Sequence, residues 1–342
     1  MNALSSEQEN TEHNSINNQN YTQILRNSAI LAGGGGGNYQ TATEIFQNQI
    51  DTQIPVRDVE EFETDKNLAT FFSLGPVRDD NSVDIETVRN SVNTFEERYG
   101  EISGIVLGEI GPEVISSGCL AAQELDVPIV NADVAGMRAV PTVQTEIVEN
   151  IDEIERLPAV ATSLTGETKI IEDERLESAL RGLSNTTWFI TGYLNNASSY
   201  QDAPRGWFEN CLNLSDDSIN NLATGEVRNW RSNEVNGHTL GHVEVVNQRY
   251  SYDVYFLNEN ALVLQDGQVI ASMPDSITIQ TTDGTPLYNG DPPKIGRRVR
   301  IVVYNQEQHW GEDRNLLTPE SIGFSSREGQ ISFRGTPINQ II

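Results

Sequence analysis

Lysine is nearly missing from this chain of 342 residues: Lys66, Lys169 and Lys294 are the only three. Histidine occurs four times and cysteine twice, and no stretch approaches the roughly 18 consecutive apolar residues of a membrane helix. Cys119 and Cys211 stand 92 positions apart, so they build no disulfide framework and match no repeated zinc pattern. The N-terminal stretch MNALSSEQENTEHNSINNQN has neither a basic nor an apolar region of the secretory kind. A cytoplasmic location is therefore expected.

What the chain has in excess is acid. Fifty Asp and Glu face 22 basic residues, nineteen of them arginine, for a net charge of −28. The acids are dispersed, so they form a surface and not a disordered tail. Such a surface suits a salt-rich medium, where the Debye length shrinks to about 3 Å at 1 M and self-repulsion is screened. Nucleic acid and anionic membrane are disfavoured as partners, because binding their phosphates needs a basic face. A small-molecule substrate is the expected partner, and self-association is left open.

The length exceeds what one core usually serves, and the pattern changes along the chain, which predicts two domains. Residues 1–19 are polar and read as a disordered arm. Residues 20–158 alternate helical and strand periodicities, the mark of an α/β layer with a glycine-rich loop, and 159–342 read as mainly β. A helix is expected from Tyr21, stopping at Gly33–Gly37, and a second in TATEIFQNQI with Thr41 or Thr43 as its cap. Strands are expected at 54–62, 69–77 and 104–111 and in VPIVNAD, with helices near 84–99 and 112–125. The charged stretch 147–158 reads as the passage between domains. PRGWFENCLNL and DDSINNLATGEV read as short helices, with β character from Val227 onward.

Five consecutive glycines let the backbone approach a ligand and turn its N–H groups inward, an anion or oxyanion cradle formed by Gly34, Gly35, Gly36 and Gly37 with Asn38. The run is neither a P-loop nor a dinucleotide fingerprint, and a flexible connector is its competing reading. Asp133 closes a predicted parallel strand, the edge at which α/β sheets bind ligands, and Arg138 could clamp a carboxylate or imide oxygen. A capping Asp133 and an ion-paired Arg138 compete with those roles. Glu109 and Glu113 flank Gly111-Pro112; a general base there needs burial to raise its pKa, and a solvated helix-start residue is the more common outcome. Cys119 reads as a buried helix residue rather than a nucleophile. His238 and His242 fall in a turn and strand, so the sequence names no metal and no cofactor. His309 reads as surface or packing. Asn258, Glu259 and Asn260 interrupt an apolar strand and need partners, which marks a bulge or a hydrogen-bonding site. Asp275 after Pro274 reads as a turn-former.

The pieces LAGGGGGNY, VPIVNADVAGMRAVP, FLNENALVLQDGQVIASMPDSITI and IGRRVRIVVY, in that order, resemble the S-methyl thiohydantoin desulfurase-like family. The resemblance implies an α/β N-terminal domain, a mainly β C-terminal domain and a hydrolase-like activity on a hydantoin- or thiohydantoin-type ring or a related small cyclic amide. By position it makes Asp133 and Glu259 the catalytic candidates. Gly34–Gly37, Asn38, Arg138 and Asn258 become the substrate-binding ones. The alternative is a non-catalytic ligand-binding or accessory subunit beside a hydantoinase-type enzyme. Asn131, and Thr142 after Pro141, depart from the acidic residues expected there, which leaves the substrate open.

Overall fold

The computed structural model describes residues 14–78, 83–141, 157–172, 176–181, 186–306, 317–327 and 330–342. The chain comprises an N-terminal mixed α/β domain and a C-terminal domain of mostly β sheets. In the first half, strands β1 (Ser15–Ile16), β2 (Ile54–Arg57), β3 (Asn67–Leu74), β4 (Gly104–Leu107) and β5 (Ile129–Asp133) alternate with helices. These are α1 (Tyr21–Leu31), α2 (Tyr39–Gln49), α3 (Ile85–Tyr99) and α4 (Pro112–Leu125). There follow β6 (Ala159–Ser163), β7 (Thr168–Ile171), α5 (Leu176–Arg181), β8 (Trp188–Asn196) and α6 (Trp207–Asn213). The first sheet has the order β1-β2-β5-β4-β3-β8-β6-β7, parallel from β2 through β3 and antiparallel elsewhere.

Both faces of this sheet are covered, and β3 shows why its sequence is an unbroken apolar run. Ala69 and Phe71 point into the core shared with α2, α3 and α4, while Leu68, Phe72 and Leu74 point into a second core with Trp188 and Tyr200. Pro112 opens α4 where its missing N–H costs nothing, and Asp126, in the left-handed region, closes it.

The second half is built on β9 (Ile219–Val235), β10 (His238–Val246), β11 (Ser251–Leu257), β12 (Glu259–Gln265), β13 (Gln268–Ser272), β14 (Ser276–Thr281) and β15 (Arg298–Tyr304). They form an antiparallel sheet ordered β13-β12-β11-β10-β9-β15-β14. A small sheet of β16 (Phe324–Arg327), β17 (Gln330–Phe333) and β18 (Thr336–Pro337) contributes Phe324, Ile331 and Phe333 to a core with Leu240, Leu257 and Leu262 of the large sheet. Among the described residues no helix is long and apolar enough to cross a membrane.

Several expectations need correction. Within the segment read as a disordered arm, Ser15 and Ile16 are buried and pair with β2; residues 1–13 lie outside the described residues. Strands β6, β7 and β8, assigned from the sequence to the second domain, complete the first sheet, so that sheet runs past residue 158. The passage expected at 147–158 falls outside the described residues except for Leu157 and Pro158. DDSINNLATGEV is not helical beyond a 3-10 turn at Asp216–Ser218. It is the start of β9, held between β10 and β15. The cap of α2 is Asn38, whose Oδ1 accepts N–H bonds from Gln40 (2.8 Å) and Thr41 (3.4 Å), and not Thr41 or Thr43. His309 also lies outside the described residues.

Candidate functional site

The glycine run leaves the end of α1 and is fastened at three carbonyls. Asn260 N–H donates to the Gly33 carbonyl (2.7 Å), Asn289 N–H to that of Gly34 (2.9 Å), and Glu113 N–H to that of Gly36 (2.9 Å). Two of these anchors come from the C-terminal sheets and their loops, the third from α4 of the first domain. Glycine is required sterically as well as conformationally: Gly34, Gly36 and Gly37 have φ of +88°, +66° and +96°. A Cβ at Gly35 would stand 2.0 Å from Glu259 Oε1, and one at Gly36 would stand 2.9 Å from the Cα of Gly111. Among the described residues, the N–H groups of Gly34, Gly35, Gly36 and Gly37 donate to no acceptor. Adjacent backbone donors left without an acceptor can meet developing negative charge.

Gly36 and Gly37 form one wall of a cavity of about 50 Å³, with Ser73 at the end of β3, Glu109 and Glu113 at the start of α4, Thr187, Asn258, Glu259 and Tyr288 around it. A water needs roughly 10–15 Å³ of such space, and drug-sized ligands occupy about 300 Å³ or more. The cavity therefore accommodates a few waters, and a five-membered ring enters only as lining side chains swing outward.

Glu113 is the pronounced electrostatic feature. The sequence favoured a solvated residue here; instead its side chain is 6% exposed, and burial pushes its pKa up to about 7 against the opposing hydrogen bond from Ser73. Glu109 is also at the pocket, where its Oε2 accepts the Val140 N–H at 3.1 Å. Glu259 lies buried against Gly35 and is attracted to Arg138. Asn258, at φ +59°, holds Thr239 by reciprocal backbone and side-chain bonds of 2.8 Å. It also reaches the Gly75 carbonyl at 3.3 Å. The Asn-Glu-Asn interruption is thus both a bulge in the β11–β12 pairing and a hydrogen-bonding knot.

Of the expected site residues, Gly34, Gly35 and Asn38 belong to the loop and helix start without lining the cavity, and Asp133 and Arg138 do not line it either. Asp133 is fully buried beneath β5, where Oδ1 accepts N–H bonds from Ala135 (2.9 Å) and Met137 (3.1 Å), Oδ2 a second one from Met137 (3.2 Å), and Gly136 adds another. Its oxygens are committed to the 133–137 turn and do not line the cavity. Arg138 is equally buried. Its guanidinium bonds the carbonyls of Ala139 (2.9 Å), Pro274 and Asp275 (3.4 Å) and braces the chain beneath Gly33, instead of clamping a ligand. Burial lowers its pKa to about 10, and Glu259, Asp275 and Glu109 resist that fall. Asp275 itself accepts the Gln306 N–H at 3.0 Å, as a turn-former does.

Asp133→Asn should destabilise the fold by about 1–3 kcal/mol, because an amide N–H₂ would replace one acceptor facing the turn. Burial pushes the Asp133 pKa from 3.8 to about 7. Its stabilising contribution is therefore full below pH 4 and lost as pH rises through 7. Urea denaturation should show the deficit of the variant to be larger at pH 5 than at pH 8.

Asn289, Ser73, Thr187 and Tyr288 were not singled out from the sequence. Asn289 is the most consequential: its Nδ2 donates to Asn258 O (2.7 Å) and Asn260 Oδ1 (3.2 Å) while its backbone holds Gly34. Nothing in PLYNGDPP distinguishes it from an ordinary turn asparagine. Cys119 and Cys211 are fully buried, with thiol pKa values driven well up by desolvation. His242 Nε2 bonds Asp253 Oδ1 at 2.7 Å and stacks on Tyr255 in the β10–β11 hairpin; neither it nor His238 lines the cavity. Among the described residues no group of three His, Cys, Asp or Glu side chains could hold a metal ion.

Comparison with known proteins returns two family models in tandem: the S-Me-THD-like N-terminal domain over residues 19–173 and the S-Me-THD-like C-terminal domain over residues 173–327. No curated protein matches the chain. A solved structure of a protein from Chromobacterium violaceum is similar in fold, with a TM-score of 0.67 at 16% sequence identity, over 88% of this chain and 97% of that one.

Proposed function

Because the chain belongs to the S-Me-THD-like family, we propose that it is a hydrolase-like enzyme acting on a hydantoin- or thiohydantoin-type ring, or a related small cyclic amide, at the glycine-loop cavity. One observation carries this reading: the loop with four unengaged glycine N–H groups lines, through Gly36 and Gly37, the cavity holding Glu113, whose pKa burial pushes up to about 7. A carboxylate poised at that value is a competent general base near neutral pH, where most carboxylates are too weak.

In the proposed reaction Glu113 takes a proton from water as the water oxygen bonds to the ring carbon bearing the thioether. The negative charge that develops on the ring is met by the glycine N–H groups, each well-placed donor contributing about 3 kcal/mol to the transition state. The C–S bond then breaks as the hydroxyl proton passes to the ring nitrogen that took up the negative charge, the carbon becomes a carbonyl, and the thiol departs with the proton held by Glu113. Glu259 orients ring N–H groups, and Arg138 acts from behind the loop as a fixed positive charge. Admission of the ring requires movement of cavity side chains, of which Glu259 and Tyr288 are the closest to the loop and the rim.

Purified protein at high salt, offered S-methyl thiohydantoins and hydantoins, is expected to release thiol or ring-opened product. Binding of these rings with no turnover of any would overturn the enzymatic reading in favour of a ligand-binding subunit.

A further inference from the structure

A second cleft opens at the far end of the β10–β11 hairpin. From Thr239, beside the glycine-loop cavity, to Val246 the strand covers about 23 Å at roughly 3.3 Å per residue. The cleft there has a volume of about 680 Å³ and is lined by Thr224, Glu226, Arg228, Arg249, Tyr250 and Arg298, among others. That size lies within the roughly 300–1,000 Å³ of small-molecule sites.

Three backbone devices bring the arginines together. A register shift opposite Glu244 and Val245 leaves Arg228 as the extra residue of β9. Arg298 opens β15 across from Glu226. Arg249 sits on the hairpin turn, where Asn247 Oδ1 accepts the N–H groups of Arg249 (2.9 Å) and Tyr250 (3.0 Å), while Asn247 Nδ2 reaches the Thr224 carbonyl at 3.4 Å.

Arg228, Arg249 and Arg298 share one cleft without an acid at ion-pair distance; Arg57, Arg231 and Arg297 also lack an ion pair among the described residues but do not line it. Elsewhere Arg78 pairs with Glu234, Arg89 with Glu86 and Glu124, Arg98 with Glu172, and Arg205 with Glu60. Among the described residues, the guanidinium groups of Arg228, Arg249 and Arg298 have no ion pair and no hydrogen bond. In a chain with 50 acidic residues against 22 basic ones, this cleft gathers three arginines around a single acid, Glu226. Beside them Tyr250 is 42% exposed, edge-on to Tyr252 at 6.3 Å.

We infer that this cleft binds a phosphorylated ring compound of the nucleotide class. Guanidinium forks match phosphate oxygens in bidentate pairs, and three of them call for a ligand carrying at least two negative charges. Tyr250 offers a face to a flat ring, and Glu226 accepts an N–H or O–H from the ring or its sugar. The net charge of −28 repels anions only at long range, which salt screens to about 8 Å at 0.15 M.

The test is calorimetric titration of the full chain with ATP, adenosine and inorganic pyrophosphate at ionic strengths from about 0.15 to 1 M. ATP should bind at least about tenfold more tightly than adenosine, as expected for charge-assisted bonds to phosphate, and pyrophosphate should bind measurably. Replacing Arg228, Arg249 and Arg298 together by alanine should weaken ATP by about tenfold or more with the melting temperature retained, and Tyr250→Ala should weaken ATP but not pyrophosphate. If the triple variant does not fold, Arg249→Glu alone, on the exposed turn, must show the same loss. ATP binding no tighter than adenosine, undiminished affinity in the arginine variants, or no binding of any probe would each overturn the inference.

Discussion

Glu113→Gln is expected to lower turnover of a responsive ring substrate by about 10²–10⁴-fold, the usual contribution of a positioned general base. The wild-type rate should fall as the pH drops through about 7, because the base acts only when ionised. The glutamine variant should retain a small rate without that limb. Two controls separate catalysis from folding. Asp133 also has a pKa near 7 but lies outside the cavity, so Asp133→Asn should leave the acid limb in place. Because burial raises the Glu113 pKa, its stabilising contribution is complete below about pH 4.5 and lost through 7. The glutamine variant is therefore expected to melt no lower than wild type at pH 8. A pH profile unchanged in shape after the substitution would remove Glu113 from the reaction.

Gly37→Ala is expected to damage both the fold and the proposed site. Its Cβ would lie 2.1 Å from the Cβ of Glu113 and 3.0 Å from the Glu113 backbone nitrogen, at a φ of +96°. Overpacking against an element as rigid as α4 costs about 1–3 kcal/mol, and left-handed strain adds about 1–3 more. A loss of about 2–6 kcal/mol in urea denaturation is thus expected, together with loss of turnover, since the clash displaces the proposed base. Gly166→Ala provides the comparison. Gly166 has a φ of +82° but an added Cβ meets nothing within 4 Å, so it should show the strain without the clash, about 1 kcal/mol. Equal losses at the two positions would contradict the packing argument.

How far the sequence reveals this molecule depends on whether the deciding forces are local. Helices α3 and α4 could be read almost to the residue because Val88, Val92 and Phe95 recur at helical spacing and Pro112 marks a start. The opening of β9 could not be read. Asn220, Asn221 and Glu226 face solvent while Ala223, Gly225 and Val227 are buried, and only the pairing with β10 and β15 makes that stretch a strand. The glycine run and Asn258-Glu259-Asn260 stood out because each violates its surroundings. The choice between Asp133 and Glu113 was not legible, since both are carboxylates just beyond adjacent parallel strands. Asp133 is sealed by its own turn and by the chain at Pro204, whereas Glu113 faces the space between the two sheets. Burial of that kind is decided by parts of the chain far away in sequence.

The fastening of the glycine run has a bearing on biogenesis. Two of its three anchors, Asn260 and Asn289, lie more than 200 residues downstream of the loop they hold. A ribosome delivers the N-terminal half first, and domains generally fold as they emerge. The first sheet can then close around its two cores while Gly33 and Gly34 still lack the partners that shape them. The loop takes form only when residue 289 has left the ribosome and the β12 end has docked. A chain truncated before Asn260 lacks both partners that hold Gly33 and Gly34, so the loop is shaped after the first sheet has been synthesised.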